Sequence, residues 1–233
     1  MNRFIRILTA LGTVILTAST AFVAEIVTVD NFVRAESDAV FARYVKQGAL
    51  GEFSHERQLV SIDKQGVIRM NRDTLYSFGI FDLTEPVSIA KPDSGGRYQS
   101  MMVINENQYV VLIKNSKSEF TLTRDQVGTR CGCVIFRTFI DANDPADIKD
   151  ANALQNKITA RQKNIGKFEI PDWDEASLKR SRDTINVLAA TAATPRACLA
   201  RREKSTLSVT CLGRLTAGED SPKAPPSTTT TCL

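Results

Sequence analysis

The densest polar cluster in the sequence is Asn71-Arg72-Asp73-Thr74, with Tyr76 following, just ahead of an apolar run. A carboxylate beside a guanidinium can do acid–base work. Asp73 would then serve as general acid or base, with Arg72 as an anion clamp. The same residues suit architecture, as an Asx-type turn with a buried ion pair. Arg137 favours the architectural reading, because it interrupts the apolar run Val134–Ile140 and a charge there needs a partner. Asp73 or Asp82 is the expected partner, so Arg137–Asp73 is read as a structural ion pair. Asn71, Arg72 and Tyr76 remain binding candidates.

His55 is the only histidine. Any Ser-His-Asp or Cys-His catalysis would run through it, so His55 and Asp73 are the catalytic candidates. No G-x-S-x-G nucleophile motif accompanies His55, and the alternative is a surface or helix-packing histidine. Cys131 and Cys133 lie two apart in an apparent strand and share one face. Such an extended pair spans more than a strain-free disulfide tolerates, so both are read as small core residues. Cys198, Cys211 and Cys232 show no framework spacing. Asn105, Asn107 and Tyr109 sit at an expected hairpin tip, where Asn105 and Tyr109 would touch a sugar or a protein, or serve turn chemistry alone. There is no metal-ligand spacing and no P-loop, so neither metal nor cofactor is expected.

These residues need elements to hold them. The spacing predicts a helix over 30–47, capped by Asp30, with Phe32, Val33, Ala39, Val40, Tyr44 and Val45 as its apolar stripe. Short runs rich in Val, Ile, Phe and Tyr predict strands at 75–82, 86–90, 97–104, 108–114, 119–123 and 132–140. Turn residues separate them, as in antiparallel sandwiches or barrels, and no crossover helices intervene. Asp144-Pro145 opens a further helix with stripe Ile148, Ala151, Leu154 and Ile158, stopped by Gly166. Pro171-Asp172-Trp173-Asp174-Glu175 opens the last, with Asp172 and Glu175 at capping-box spacing.

The chain of 233 residues carries a net charge of +4. That surplus belongs to Arg3, Arg6 and the segment 193–233, while the body is nearly neutral. The body thus has no positive stripe for phosphate backbones, and nucleic-acid binding is not expected. Arg3 and Arg6, the uncharged run from Ile7 and the exit Ser19-Thr20-Ala21 read as a secretory signal peptide over 1–21, cut after Ala21. The alternative is a membrane anchor, for which an apolar run of about 18 residues is borderline. Cleavage leaves no expected membrane span and a periplasmic or secreted product.

Blocks along the body carry a resemblance. They are Val27 to Glu36, Asp63 to Ser77, Arg97-Tyr98, Val103 to Glu106, Leu122-Thr123-Arg124, Gly128-Thr129-Arg130 and Phe168 to Asp174. Through them the chain resembles bacterial proteins with the domain of unknown function 1254, from about Val27 to Thr191. The resemblance implies an immunoglobulin-like antiparallel β-sandwich with an N-terminal helix and two C-terminal helices, over residues 22–192. It implies no established reaction, and family members that are oligomeric. The family tends to have Gly where this chain has Glu85, and bulkier residues at Cys131-Gly132-Cys133, where a strand glycine weakens the strand or marks a bulge.

Relatives continue into a second domain, numbered 1214. Residues 194–233 instead hold four prolines and the run Thr228–Thr231, without either period. Read in a shifted frame, Arg196–Ala200 permits G-M-F-G and Glu203–Leu212 permits E-V-D-P-V-R-H-L-L, the string that relatives carry here. A frameshift near residues 191–197 and a disordered tail over 193–233 are therefore expected. Losing an inter-domain interface of about 600–1,500 Å² would expose apolar area worth roughly 25 cal/mol per Å². A poorly soluble, protease-sensitive product follows. The functional expectation is a non-catalytic binding or scaffold module of the cell envelope, with an envelope polymer or protein as partner. The alternatives are an envelope hydrolase acting on a glycan or ester, and a non-functional frameshifted product.

Overall fold

The computed structural model describes residues 24–60 and 71–190. The segment 1–21 expected as a signal peptide, most of the block from Asp63 to Ser77, the tail 193–233 and Cys198, Cys211 and Cys232 lie outside the described residues. The elements in order are α1 (Phe32–Lys46), β1 (Phe53–His55), β2 (Thr74–Asp82), β3 (Val87–Lys91), β4 (Gln99–Asn105), β5 (Val110–Lys114) and β6 (Ser118–Leu122). Then follow α2 (Arg124–Val127), β7 (Cys131–Phe139), α3 (Pro145–Gln155), β8 (Thr159–Gln162) and α4 (Glu175–Ala190). A five-stranded sheet, β1-β2-β7-β4-β5, packs on a three-stranded one, β6-β3-β8. Every ladder between these strands is antiparallel. The mainly β sandwich with flanking helices is the architecture that the strand runs and breakers predict.

The core lies between the sheets. Phe81, Met101, Val103, Val134 and Phe136 from the large sheet meet Val87, Ile89, Leu122 and Ile158. Phe53 stands edge-on to both Phe81 and Phe136, at 5.4 Å between centroids. β3 alternates buried and half-buried, as a strand with one covered face should. β2 is buried along nearly its whole length, because α1 covers its other face. That double burial explains why apolar side chains stand on both faces of Leu75–Phe81.

Four expectations about elements are corrected. The helix opened by Pro145 ends at Gln155, and Thr159–Gln162 leaves it to pair with β3, carrying Ile158 into the sandwich core. The last helix is capped by Asp174, whose Oδ1 accepts from Ser177 N at 2.7 Å, and not by Asp172. Asp30 does not cap α1. Asn31 holds that position, and its side chain instead ties back to Thr28 N and Ile26 O. Ala39 is exposed, whereas Glu36, Ser37 and Asp38 are buried, because α1 is wedged between the sheet and α4.

Gly132 makes no bulge. It pairs with both Phe81 and Asn105, and a Cβ there would lie 3.3 Å from Val127 Cγ1, so the small residue lets α2 sit down on β7. The irregularity falls between Val103 and Ile104, where β4 meets β5.

Candidate functional site

Strand alternation sends Leu75, Ser77, Gly79 and Phe81 of β2 toward the sandwich core and Tyr76, Phe78 and Ile80 to the outer face. Register then places cross-strand rows on that outer face. Phe78, Ile135 and Met102 form one row, and Tyr76, Arg137 and Ser100 the next. Phe139 stands opposite Thr74, and its N–H donates to Tyr98 O at 2.9 Å, which continues the same register to Tyr98. Ile113 extends the row of Met102 onto β5.

α1 covers only part of this face. Phe41, Val40 and Tyr44 pack over Ile80, Cys131 and Cys133. Tyr44 stacks on Phe78 at 3.9 Å, and Phe78 runs parallel to Tyr76 at 5.7 Å. Beyond that cover, Ile113 is 58% exposed, Tyr98 51%, Phe139 44% and Val110 43%. Met102, Ile104, Ile135 and Tyr76 are half-buried beside them. The result is a broad apolar and aromatic face with one cation, Arg137, in its midst. Its aromatic end is pinned: Arg97 Nη1 donates to Phe139 O at 2.7 Å and to Asp147 Oδ2 at 2.8 Å.

The catalytic candidates are not brought together. His55 sits on β1 opposite Ser77, while Asp73 precedes β2 by one residue and is exposed. The four residue steps from Ser77 to Asp73 span roughly 13 Å of strand. His55 Nδ1 lies 2.8 Å from Ser77 Oγ, and Ser77 is fully buried. Ser77 Oγ also accepts from Gln155 Nε2 at 3.2 Å, and Arg57 reaches Asn152 O and Asn156 Oδ1. Burial first, and then Arg57, pull the His55 pKa down to about 4, so the ring is neutral at physiological pH. This network staples α3 to β1 and β2.

Arg137 and Asp73 are not an ion pair, and neither forms one with any described residue. Asp82 is taken by Arg130, whose Nη2 lies 2.8 Å from Asp82 Oδ2. Burial alone would raise the Asp82 pKa. Arg130, with the N–H groups of Lys167 and Thr84, outweighs it and holds the carboxyl well below the usual range. Asn71 and Arg72 are exposed beside Asp73. Asn105 is buried, and its amide is spent on its own turn: Oδ1 accepts from Asn107 N and Tyr109 N, and Nδ2 donates to Val127 O. Tyr109 is half-buried at that tip. Asn105 is therefore a turn-former, because it is buried and its amide is engaged on both sides by its own turn and Val127.

A second polar cluster was not foreseen. Glu36 and Asp38 on α1 and Glu106 after β4 are buried carboxylates. Arg34 bridges Asp38 and Glu106, at 3.3 and 3.1 Å, Arg182 of α4 holds Glu36, and Trp173 Nε1 donates to Asp38 Oδ2 at 3.0 Å. The cluster fastens α1 to α4 and to the β4–β5 turn. Cys131 and Cys133 are buried free thiols, pushed up to about 12 mainly by burial. Among the described residues, no group of His, Cys, Asp and Glu is placed to hold a metal ion, and no helix is long and apolar enough to cross a membrane.

Residues 50–126 match a family model described as protein of unknown function, DUF1254. The DUF1254 match covers β1 to β6 and reaches into α2, which is the greater part of the sandwich. The fold is similar to the crystal structure of the VPA0106 protein from Vibrio parahaemolyticus, with a TM-score of 0.56 and 14% identity. That likeness takes in 79% of this chain and 64% of the Vibrio chain, and at this identity it speaks for the fold alone. The chain thus spans less than two thirds of the relative's length. No curated protein matches it.

Proposed function

We propose that the chain is an exported, non-catalytic binding or scaffold module of the cell envelope, which engages its partner through the outer face of the five-stranded sheet. The uncovered stripe from Tyr98 and Phe139 to Ile113 carries this reading. Contiguous exposed apolar surface of that kind marks interaction sites in soluble proteins. A hydrolase working through Asp73 and His55 has no support, because strand geometry sets the two apart and the ring of His55 is bonded to a buried hydroxyl.

Co-sedimentation of the full chain with purified bacterial envelopes tests the reading. The wild type is expected in the pellet, and Ile113→Glu, an exposed site, should lower retention severalfold. A wild type that stays in the supernatant, or a variant retained as well as the parent, would end it. Export is tested by N-terminal sequencing of periplasmic protein, which should begin at Phe22. An uncut cytoplasmic chain would refute it.

Replacement of a second domain, numbered 1214, by an out-of-frame tail over 193–233 is supported by the tail's composition. The gene's nucleotide sequence tests it: a shifted frame near codons 191–197 must encode the relatives' string.

A further inference from the structure

We propose that the quarter of the outer face formed by Tyr98, Phe139, Tyr76 and Arg137 binds an acidic oligosaccharide, a chain of sugars bearing carboxylates. The proposal rests on the binding-module reading and names the ligand class for it.

Charge is the first ground. Arg137 is half-buried, and among the described residues it has no ion-pair partner. Its register neighbours on the face are Tyr76 and Ser100, with Ile135 and Phe139 two residues away along β7. None carries a carboxylate. The nearby Arg97 is already neutralised by Asp147, and the exposed Asp73, just ahead of β2, makes no ion pair with any described residue. A guanidinium drawn partly out of water, with no counter-charge among the described residues, presents fixed donors to an incoming carboxylate.

Shape is the second ground. Tyr98 and Phe139 are cross-strand neighbours, with Cβ atoms about 5 Å apart. Both rings are about half exposed, and the Arg97 bond to Phe139 O fixes the backbone beneath them. Such platforms take the C–H faces of sugar rings, and the hydroxyls of Tyr98 and Tyr76 can serve sugar hydroxyls.

Backbone topology decides between a sugar chain and an acidic peptide. β7, which carries Arg137 and Phe139, is paired on both sides, with β2 and β4. An extended peptide gains affinity by adding a strand to a free edge, and no such edge exists at Arg137. Recognition here falls to rings, hydroxyls and one cation.

Isothermal titration of the full chain with hexagalacturonate, maltohexaose and hexaglutamate is the test. Hexagalacturonate should bind at least tenfold more tightly than the other two. Arg137→Gln and Tyr98→Ala should each weaken it at least tenfold. Because Arg137 is half-buried, Phe139→Ser at an exposed position provides a second variant, and unchanged melting of each certifies the fold. If hexagalacturonate binds and none of the three variants weakens it, the site lies elsewhere and the assignment falls. If maltohexaose or hexaglutamate binds as tightly, and Tyr98→Ala weakens that binding, the acidic-sugar assignment falls while the binding face stands. If no probe binds, the assignment falls as well, and envelope sedimentation alone judges the binding-module reading.

Discussion

Ser77 Oγ lies 2.8 Å from Nδ1 of His55, yet Ser77 has no exposed surface. In sequence, a serine and the only histidine invite a nucleophile–base reading. In the fold the pair faces inward, between β1, β2 and α3, where Gln155 also bonds the hydroxyl. A nucleophile must reach its substrate, and this one cannot while α3 is in place. A fluorophosphonate probe should therefore leave Ser77 unlabelled in the folded chain, as mass spectrometry of tryptic peptides would show. Stoichiometric labelling under native conditions would revive the hydrolase.

The same pair sets a pH dependence. The His55 pKa falls to about 4 on folding, mainly through burial, from an ordinary value near 6.5. The unfolded chain then binds the proton more readily than the folded one. His55 contributes stability that is full above pH 6.5 and is lost as the pH falls toward 4. The loss should be roughly 1–3 kcal/mol, discounted for the partial exposure of the ring. Urea midpoints between pH 7.5 and 4.5 should fall more steeply for the wild type than for His55→Gln. Parallel curves would refute the assignment.

Strands and polar links differed in how far the sequence disclosed them, for a physical reason. β2, β4 and β7 bury one or both faces, so most of their side chains are apolar, and Leu75–Phe81 or Val134–Ile140 is readable without partners despite Ser77 and Arg137. β8 is Thr-Ala-Arg-Gln, a half-exposed edge strand held by its ladder to β3, and nothing local announces it. α1 misleads in the opposite way. Glu36 and Asp38 look like solvent-facing residues until Arg182 of α4 and Trp173, just ahead of it, arrive from more than 130 residues away. The outer-face row hides likewise. Phe139 and Arg137 share a face by alternation alone, but Tyr98 joins them only once β4 is known to lie beside β7.

Asp38 gives a prediction of opposite sign to that of His55. Burial lifts its pKa to about 6, against bonds from Trp173 and Arg34 that pull it down, while the charge of Glu106 adds to the lift. The folded chain holds this proton more tightly than the unfolded one, whose value is near 3.9. Its contribution is therefore full below about pH 4 and lost as the pH rises through 6. Asp38→Asn keeps an acceptor for Trp173 Nε1 and removes the buried charge. The variant should gain roughly 1–2 kcal/mol on the wild type at pH 7.5 and show no gain at pH 4. Chemical denaturation at the two pH values measures both, and a variant less stable than the parent at pH 7.5 would contradict the reading.

Asp82 is the joint where the last loop meets the sandwich. Its carboxylate is 1% exposed and accepts from Thr84 N at 3.0 Å, Lys167 N at 3.0 Å and Arg130 Nη2 at 2.8 Å. Because its folded pKa is depressed, the stability it supplies is present above the unfolded value near 3.9 and lost as the pH falls through the folded one. Arg130→Gln strands a buried carboxylate and should cost about 3–5 kcal/mol at pH 7. Gly166 packs against the same carboxylate with φ +67°, and a Cβ there would lie 2.7 Å from Asp82 Cγ. Gly166→Ala meets both a left-handed backbone and a contact with no room, and should cost at least about 1–3 kcal/mol. The two changes act on one site, so their combination should fall short of the sum. Urea melts of the single and double variants measure the coupling. Strict additivity would place Gly166 and Arg130 in separate structures rather than around one carboxylate.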